Sequence, residues 1–272
     1  AVSVSFALDI SVTKYHLRYP ALLKKFYSNI KRNLNMKEVT GIIDHRILLN
    51  FRVDPTIMKN NLPPEFTPQL VEGHAIGGIC QVSLSEMRAK GMPSLVGTGS
   101  HNAAHRIAVT SSQGEGVYVT RRDTDSWLNT FSGGRFFPGV YSKAEFDVKV
   151  SGNNYSVTII DKDNKSLMAI KATVVEDLPT ESVFKNTKEV SDFFRTGNIG
   201  WSSRKNSTQF DAIELTTVEW NMEPLIVSES FSAYFSDTSM FPKGSVEFDS
   251  AMIMRNLKHS WVSRDNLCEL CC

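Results

Sequence analysis

The sequence predicts a single β-rich α+β domain whose antiparallel strands close into a barrel or cone of the kind that can hold a ligand, with a few short helices at the periphery. Three observations lead there. Most of the chain after Met36 alternates apolar and polar residues with period two. Turn-forming residues recur at short intervals, as in Glu72-Gly73, Ser151-Gly152-Asn153-Asn154 and the run from Asp161 to Ser166. No internal repeat and no long tract of Pro, Gly or Ser divides the 272 residues into two domains.

Taken in order, residues 1–35 read as an extension outside the domain. AVSVSFALDISV carries Asp9 within its apolar stretch and lacks a basic leader, which makes it a poor signal peptide. In YPALLKKFYSNIKRNL, Leu22, Leu23, Phe26, Tyr27 and Ile30 fall at helical spacing, so the segment is either a short amphipathic helix or a frayed arm. The domain spans 36–263. HRILLNFRV places Ile47, Leu49, Phe51 and Val53 on one face of a strand, and Asp54-Pro55 then starts a short helix ended by Pro63-Pro64. PQLVEGHAIGGICQVSL gives two strand segments about Glu72-Gly73, with Gly77-Gly78 marking a bulge or a close backbone approach. HRIAVTSSQGEGVYVTRRD makes a hairpin turning at Gly114 and Gly116. AEFDVKV, YSVTII and LMAIKATVV form a meander, KEVSDFFRTG is a helix ending at Gly197, and FDAIELTTVEW, LIVSESFSAYF and SVEFDSAMIMRNL supply three further strands. Residues 264–272 are a cysteine-containing tail.

Lys plus Arg number 30 against 29 Asp plus Glu, which offers no broad electrostatic case for nucleic acid or an anionic membrane as partner. No apolar run approaches the roughly 20 residues of a membrane span. Cys80 sits in an apolar strand as a buried free thiol, and CELCC at the end lacks a fourth nearby ligand for a tetrahedral metal. With no spaced cysteine pairs, the expected compartment is the cytoplasm. Neither a metal nor a cofactor is expected.

Charged candidates therefore have to act locally. Strict alternation along GVYVTRRD would put Val117, Val119 and Arg121 on one face and Tyr118, Thr120 and Arg122 on the other, so one arginine points inward. That arginine is either held by Asp123, Asp125 or a strand carbonyl, or forks onto a ligand carboxylate or phosphate together with Arg106 or Arg135. His105 lies in line with Ile107 and Val109 on an apolar face, as a core histidine or a ligand contact, and His259 stands beside Trp261 with the same two readings. Glu247 and Asp249, two apart on a strand with Ala251 and Ile253 following, would share a face and neutralise the arginines. Phe136, Phe137 and Trp127 would exclude water from the site.

The motifs RILLNFRVDP, PQLVEGHAIGGICQVSL, NAAHRIAV, GVYVTRRDTDS, GGRFFPGVYSKAEF, DFFRTGNIGWS and FPKGSVEFDSAMIMRNLKHSW, in this order, resemble the bacterial family of unknown-function domains numbered 2071, of the acetoacetate decarboxylase-like superfamily. The resemblance covers about residues 37–262. It implies a β-barrel or cone around a cavity and, for enzymes of the superfamily, a homo-oligomer. It also implies a lysine that forms a Schiff base with a β-keto acid, within a Gly-Phe-Pro-Lys-Lys stretch. The matching stretch here is Phe136-Phe137-Pro138-Gly139-Val140, so the lysine positions fall on Gly139 and Val140. Lys143 follows without an adjacent lysine, and a glutamate of the decarboxylase falls on Asn102. The expected function is a small-molecule-binding or enzymatic barrel with an arginine-lined cavity for a carboxylate or carbonyl ligand. The alternatives are a keto-acid decarboxylase or related lyase, and a structural protein whose barrel is filled by its own side chains.

Overall fold

The alternation in HRILLNFRV becomes the second half of β1 (Glu38–Val53) in a computed structural model of the chain. The structure describes residues 38–126, 141–204 and 209–267, with the backbone alone for 265–267. These lie in the larger of the two units into which the chain divides, residues 36–272. The expected extension at 1–35, Trp127, Arg135, Phe136, Phe137 and the three terminal cysteines lie outside the described residues.

Helix α1 (Pro55–Asn60) begins at Asp54, whose carboxylate accepts from the backbone N–H groups of Thr56 and Ile57. The short strands β2 (Thr67–Pro68) and β3 (Leu70–Val71) lead to β4 (His74–Ala89) through Glu72-Gly73, both at positive φ, as a tight hairpin requires. β5 (Thr98–Ser111) and β6 (Gly114–Thr124) form the next hairpin; Gly116 stands within β6, opposite Val109, and not in the turn. β7 (Tyr141–Ser151), β8 (Asn154–Asp161) and β9 (Ser166–Val174) are the expected meander. Helix α2 (Thr187–Thr196) runs from the Asn186 cap to Gly197. β10 (Ile199–Ser203), β11 (Phe210–Thr217), β12 (Glu223–Ser232) and β13 (Val246–Leu267) complete the sheet. β13 runs past the boundary expected at 263, because its end pairs with β11.

Nine strands close on themselves in the order β6-β7-β8-β9-β12-β13-β1-β4-β5. The pairings are antiparallel except β6 with β7 and β6 with β10. The sheet forks at two strands. One edge of β13 pairs with β1, while the other meets β12 at Ala251–Ile253 and β11 from His259 onward. Asn256, at positive φ, lies between those stretches and re-aims the strand with a residue type that tolerates it. β6 likewise meets β10 at Val117 and Tyr118 and β7 from Arg122 to Thr124. Strands β10 and β11 thus join β6 to β13 and close a second ring behind β1, β4 and β5.

Those shared strands are buried on both faces. Ile47, Leu49, Phe51, Val53, Ile79 and Ile107 belong to one apolar cluster, whereas Leu48, Ile76, Val82 and Ala108 belong to another that also takes Val190 and Phe194 of α2. Close strand packing accounts for Gly78, where a Cβ would stand 2.3 Å from the Leu49 carbonyl oxygen. No register shift marks the Gly77-Gly78 pair, so of the two readings the close approach holds.

Candidate functional site

Cross-strand register sets out the site in three rows on the face of β1, β4, β5 and β6 that looks into the second ring. The first is Arg46, Val82 and Asn102; the second is Leu48, Cys80, Ala104 and Arg122; the third is Asn50, Gly78, Arg106 and Val119. Between this wall and β10, β11 and α2 lies a cavity of about 130 Å³, where a single water needs roughly 10–15 Å³. Arg46, Arg106 and Arg122 line it with Tyr141, Phe194 and Trp261, and no carboxylate among the described residues does.

Each guanidinium has an aromatic ring on one side. Arg106 stands 4.2 Å from the Phe194 centroid, Arg46 5.5 Å from Trp220 and Arg122 5.8 Å from Tyr141. Arg46 donates through Nε to Cys80 Sγ at 3.2 Å and through Nη1 to Met254 Sδ at 3.7 Å. Arg122 donates to Ser202 Oγ from Nε (3.3 Å) and Nη2 (2.9 Å). Arg106 is 2 % exposed and donates from Nη2 to Asn50 Oδ1 at 2.5 Å, while its Nε and Nη1 have no partner. Burial pushes its pKa down to about 9, which leaves it cationic at neutral pH. Burial, opposed in part by Arg122, raises the Tyr141 phenol.

The counter-charge of Arg106 lies outside the cavity lining, on β13. Asn50 Nδ2 donates to Ser250 Oγ (3.2 Å), and Ser250 Oγ donates to Asp249 Oδ2 (2.7 Å). Asp249, 3 % exposed, also accepts from Ser182 Oγ and the Val183 N–H. Two neutral side chains therefore connect a buried carboxylate to the buried guanidinium.

Two bulges overturn expected faces. An irregularity opposite His105 and Arg106 leaves Thr120 without a partner in the β5–β6 register, so Val117, Val119 and Arg122 face the cavity while Tyr118 and Arg121 face the other interior. Each arginine thus points into a different space. Arg121 forks onto Asp123, with Nε 3.0 Å and Nη2 2.9 Å from Oδ1. A second bulge, at Asp249, separates it from Glu247, which is exposed and paired with Arg52. The extra residue breaks the face that the two were expected to share with Ala251 and Ile253: Glu247 lies opposite Arg52, whereas Ala251 and Ile253 lie opposite Leu49 and Ile47 in the first cluster.

His105 stays in line with Ile107 and Val109 and is 2 % exposed, outside the cavity lining. Both its ring nitrogens lack hydrogen-bond partners, and Nδ1 is 3.9 Å from Asp123 Oδ2. Burial, then Arg121, pushes it down to about 4, so it is neutral. Desolvation also takes His259 and His45 to about 4. Lys143 is exposed on β7. Arg46 and Tyr141 escaped the sequence reading. The signal for Arg46 was the unbroken run Ile47-Leu48-Leu49, which marks a strand buried on both faces and so makes the residue beside it a buried cation.

No helix among the described residues is long and apolar enough to cross a membrane, and no group of three His, Cys, Asp or Glu there is arranged to hold a metal ion. No protein of curated function matches the chain. Among solved structures it is similar to an acetoacetate decarboxylase from Legionella pneumophila subsp. pneumophila str. Philadelphia 1, at 12% identity and TM-score 0.53, over 84% of this chain and 87% of that one. An acetoacetate decarboxylase-like enzyme from Sphingomonas wittichii RW1 matches at 10% identity and TM-score 0.55, over 85% and 92%. The enduracididine biosynthesis enzyme MppR, complexed with pyruvate, matches at 9% identity and TM-score 0.52, over 85% and 88%. At such identities the likeness establishes the fold, which is acetoacetate decarboxylase-like. Residues 43–228, more than half of the chain, match one family throughout, and the chain belongs to DUF2071, a family of uncharacterized conserved proteins.

Proposed function

We propose that this protein binds a small carboxylate-bearing molecule in the cavity of the second ring, held by arginines and not by an amine nucleophile. The observation that carries this reading is that three arginines line one cavity and no carboxylate among the described residues does. A guanidinium presents paired N–H groups that match a carboxylate, and Arg106 has two nitrogens unpartnered. The aromatic rings behind the arginines keep water away and strengthen such a pairing. A solved structure of similar fold, MppR, is complexed with pyruvate, which supports a small keto acid as the first ligand to try.

The test is a thermal-shift titration with pyruvate and acetoacetate against their amide counterparts, since a ligand of the native state raises its apparent stability with concentration. The acids should stabilise and the amides should not. Arg106→Lys should weaken the response by about 10-fold or more, because it keeps a charge and loses the planar fork. Lys143→Ala should leave it unchanged. Equal stabilisation by acids and amides would refute the reading. Borohydride trapping of a keto-acid adduct on Lys143 would favour the lyase instead.

A further inference from the structure

We propose that Cys80 is a nucleophile of this cavity, whose sulfur attacks the electrophilic carbon of a small carboxylate held by the arginines. The proposal rests on the carboxylate-binding reading and adds a covalent step to it.

Cys80 lines the cavity, is half-buried and forms no disulfide. It occupies the middle row, and register puts a cation on either diagonal. Leu48 is its partner on β1, so Arg46 stands one row to one side; Ala104 is its partner on β5, so Arg106 stands one row to the other. Diagonal neighbours on a sheet lie about 7–8 Å apart, within reach of long side chains. Arg46 makes that reach, with Nε donating to the sulfur at 3.2 Å. Arg106 supplies the independent sign of a ligand: a 2 % exposed guanidinium in the same cavity with Nε and Nη1 unpartnered. A carboxylate taken by those nitrogens brings the rest of a small acid towards the sulfur.

The reacting species of a cysteine is its thiolate. With a keto acid, the thiol proton leaves to solvent and a sulfur electron pair forms the C–S bond. The C=O π pair moves onto oxygen, which takes up a proton. The product is a thiohemiacetal, nothing is oxidised or reduced, and reversal returns both reactants. With a haloacid, the same attack breaks the carbon–halogen bond and releases halide.

Alkylation with iodoacetate and with neutral iodoacetamide tests this, using peptide mass mapping to separate Cys80 from Cys268, Cys271 and Cys272. In the native protein the iodoacetate-to-iodoacetamide rate ratio at Cys80 should exceed that of the same cysteine in the urea-unfolded chain by about 10-fold or more, as expected for a focused positive site. Pyruvate should slow the native reaction. An unchanged ratio, or no protection by pyruvate, overturns the proposal. Thermal shift of Cys80→Ser with pyruvate then separates the two ideas. Stabilisation retained alongside an unchanged alkylation ratio removes the nucleophile and keeps the binding site, whereas no stabilisation of the wild-type protein removes the binding reading itself. Should Cys80→Ser not fold, wild-type alkylation decides alone.

Discussion

Replacing Arg106 with methionine should stabilise the protein while destroying anion binding. The residue is buried with two nitrogens unpartnered, and each buried polar group left without a partner costs about 1–3 kcal/mol. Removing them recovers roughly 2–6 kcal/mol, besides part of the several kcal/mol that an ion loses on leaving water. Against this, Asn50 Oδ1 loses its donor, about 1–3 kcal/mol, and the contact with Phe194 loses about 0.5–2 kcal/mol of cation–π attraction. Methionine fills most of the same volume. The balance favours the variant by about 1–3 kcal/mol, or a few degrees in Tm for a domain of this size. A carboxylate that loses two charge-assisted hydrogen bonds, each worth about 1.5–3 kcal/mol, should bind at least about 100-fold more weakly. Urea unfolding measures the first effect and calorimetric titration with pyruvate the second. A variant that is less stable than the parent yet still binds would show that Arg106 is a structural residue and refute the argument.

Acid should destabilise the fold before its carboxylates titrate. His45, His105 and His259 are held neutral at about 4, against about 6.5 when unfolded; their folded-state contribution is complete above pH 6.5 and lost as pH falls towards 4, at about 2 kcal/mol each by pH 5. Urea unfolding at pH 7 and pH 5 checks this, and equal free energies would contradict neutral burial. Gly78→Ala should cost about 3 kcal/mol or more in the same assay, since its Cβ would meet the Leu49 carbonyl, a backbone atom that cannot step aside. Asp249→Asn should weaken pyruvate binding about 10-fold although it does not line the cavity, because one oxygen now carries an amide and the chain through Ser250 and Asn50 loses its acceptor; unchanged affinity would show that the chain does not position Arg106.

The strands were legible wherever period two ran unbroken. Ile47, Leu49, Phe51 and Val53 share a core as their spacing predicts, and the Asp54 cap and Gly197 stop were readable from local chemistry. Face assignments failed where a single extra residue entered a strand. Beyond Thr120 and at Asp249 the alternation shifts by one, and every later side chain changes sides. A bulge leaves no mark in composition, so neither Arg122 nor Glu247 could be assigned a direction from spacing. The fork was hidden for another reason. Whether the free edge of β13 meets β12 or β11 depends on segments far away in sequence, and the pattern within β13 is the same for either partner. The period-two face of β1 does not single out Arg46, whose burial follows only from the second face being covered as well.

On the proposed reading, the position of Asp249 is what leaves room in the cavity for an anion. A carboxylate placed beside Arg106 would satisfy its free nitrogens and fill the site with an internal ion pair, as Asp123 does for Arg121 on the opposite face. Asp249 instead sits at the bulge of β13 and reaches Arg106 only through Ser250 and Asn50. Compensation arrives by way of aligned dipoles on one nitrogen, Nη2, and Nε and Nη1 stay free. Arg46 and Arg122 follow the same rule by different means, bonded to sulfur and to a hydroxyl, neither of which cancels their charge. Buried cations in this state cost stability unless something else carries the fold, and here the filled cluster on the other face of β1, β4 and β5 does so. One wall thus separates a packed core from an electrostatically incomplete cavity, and the incompleteness is what a carboxylate would relieve.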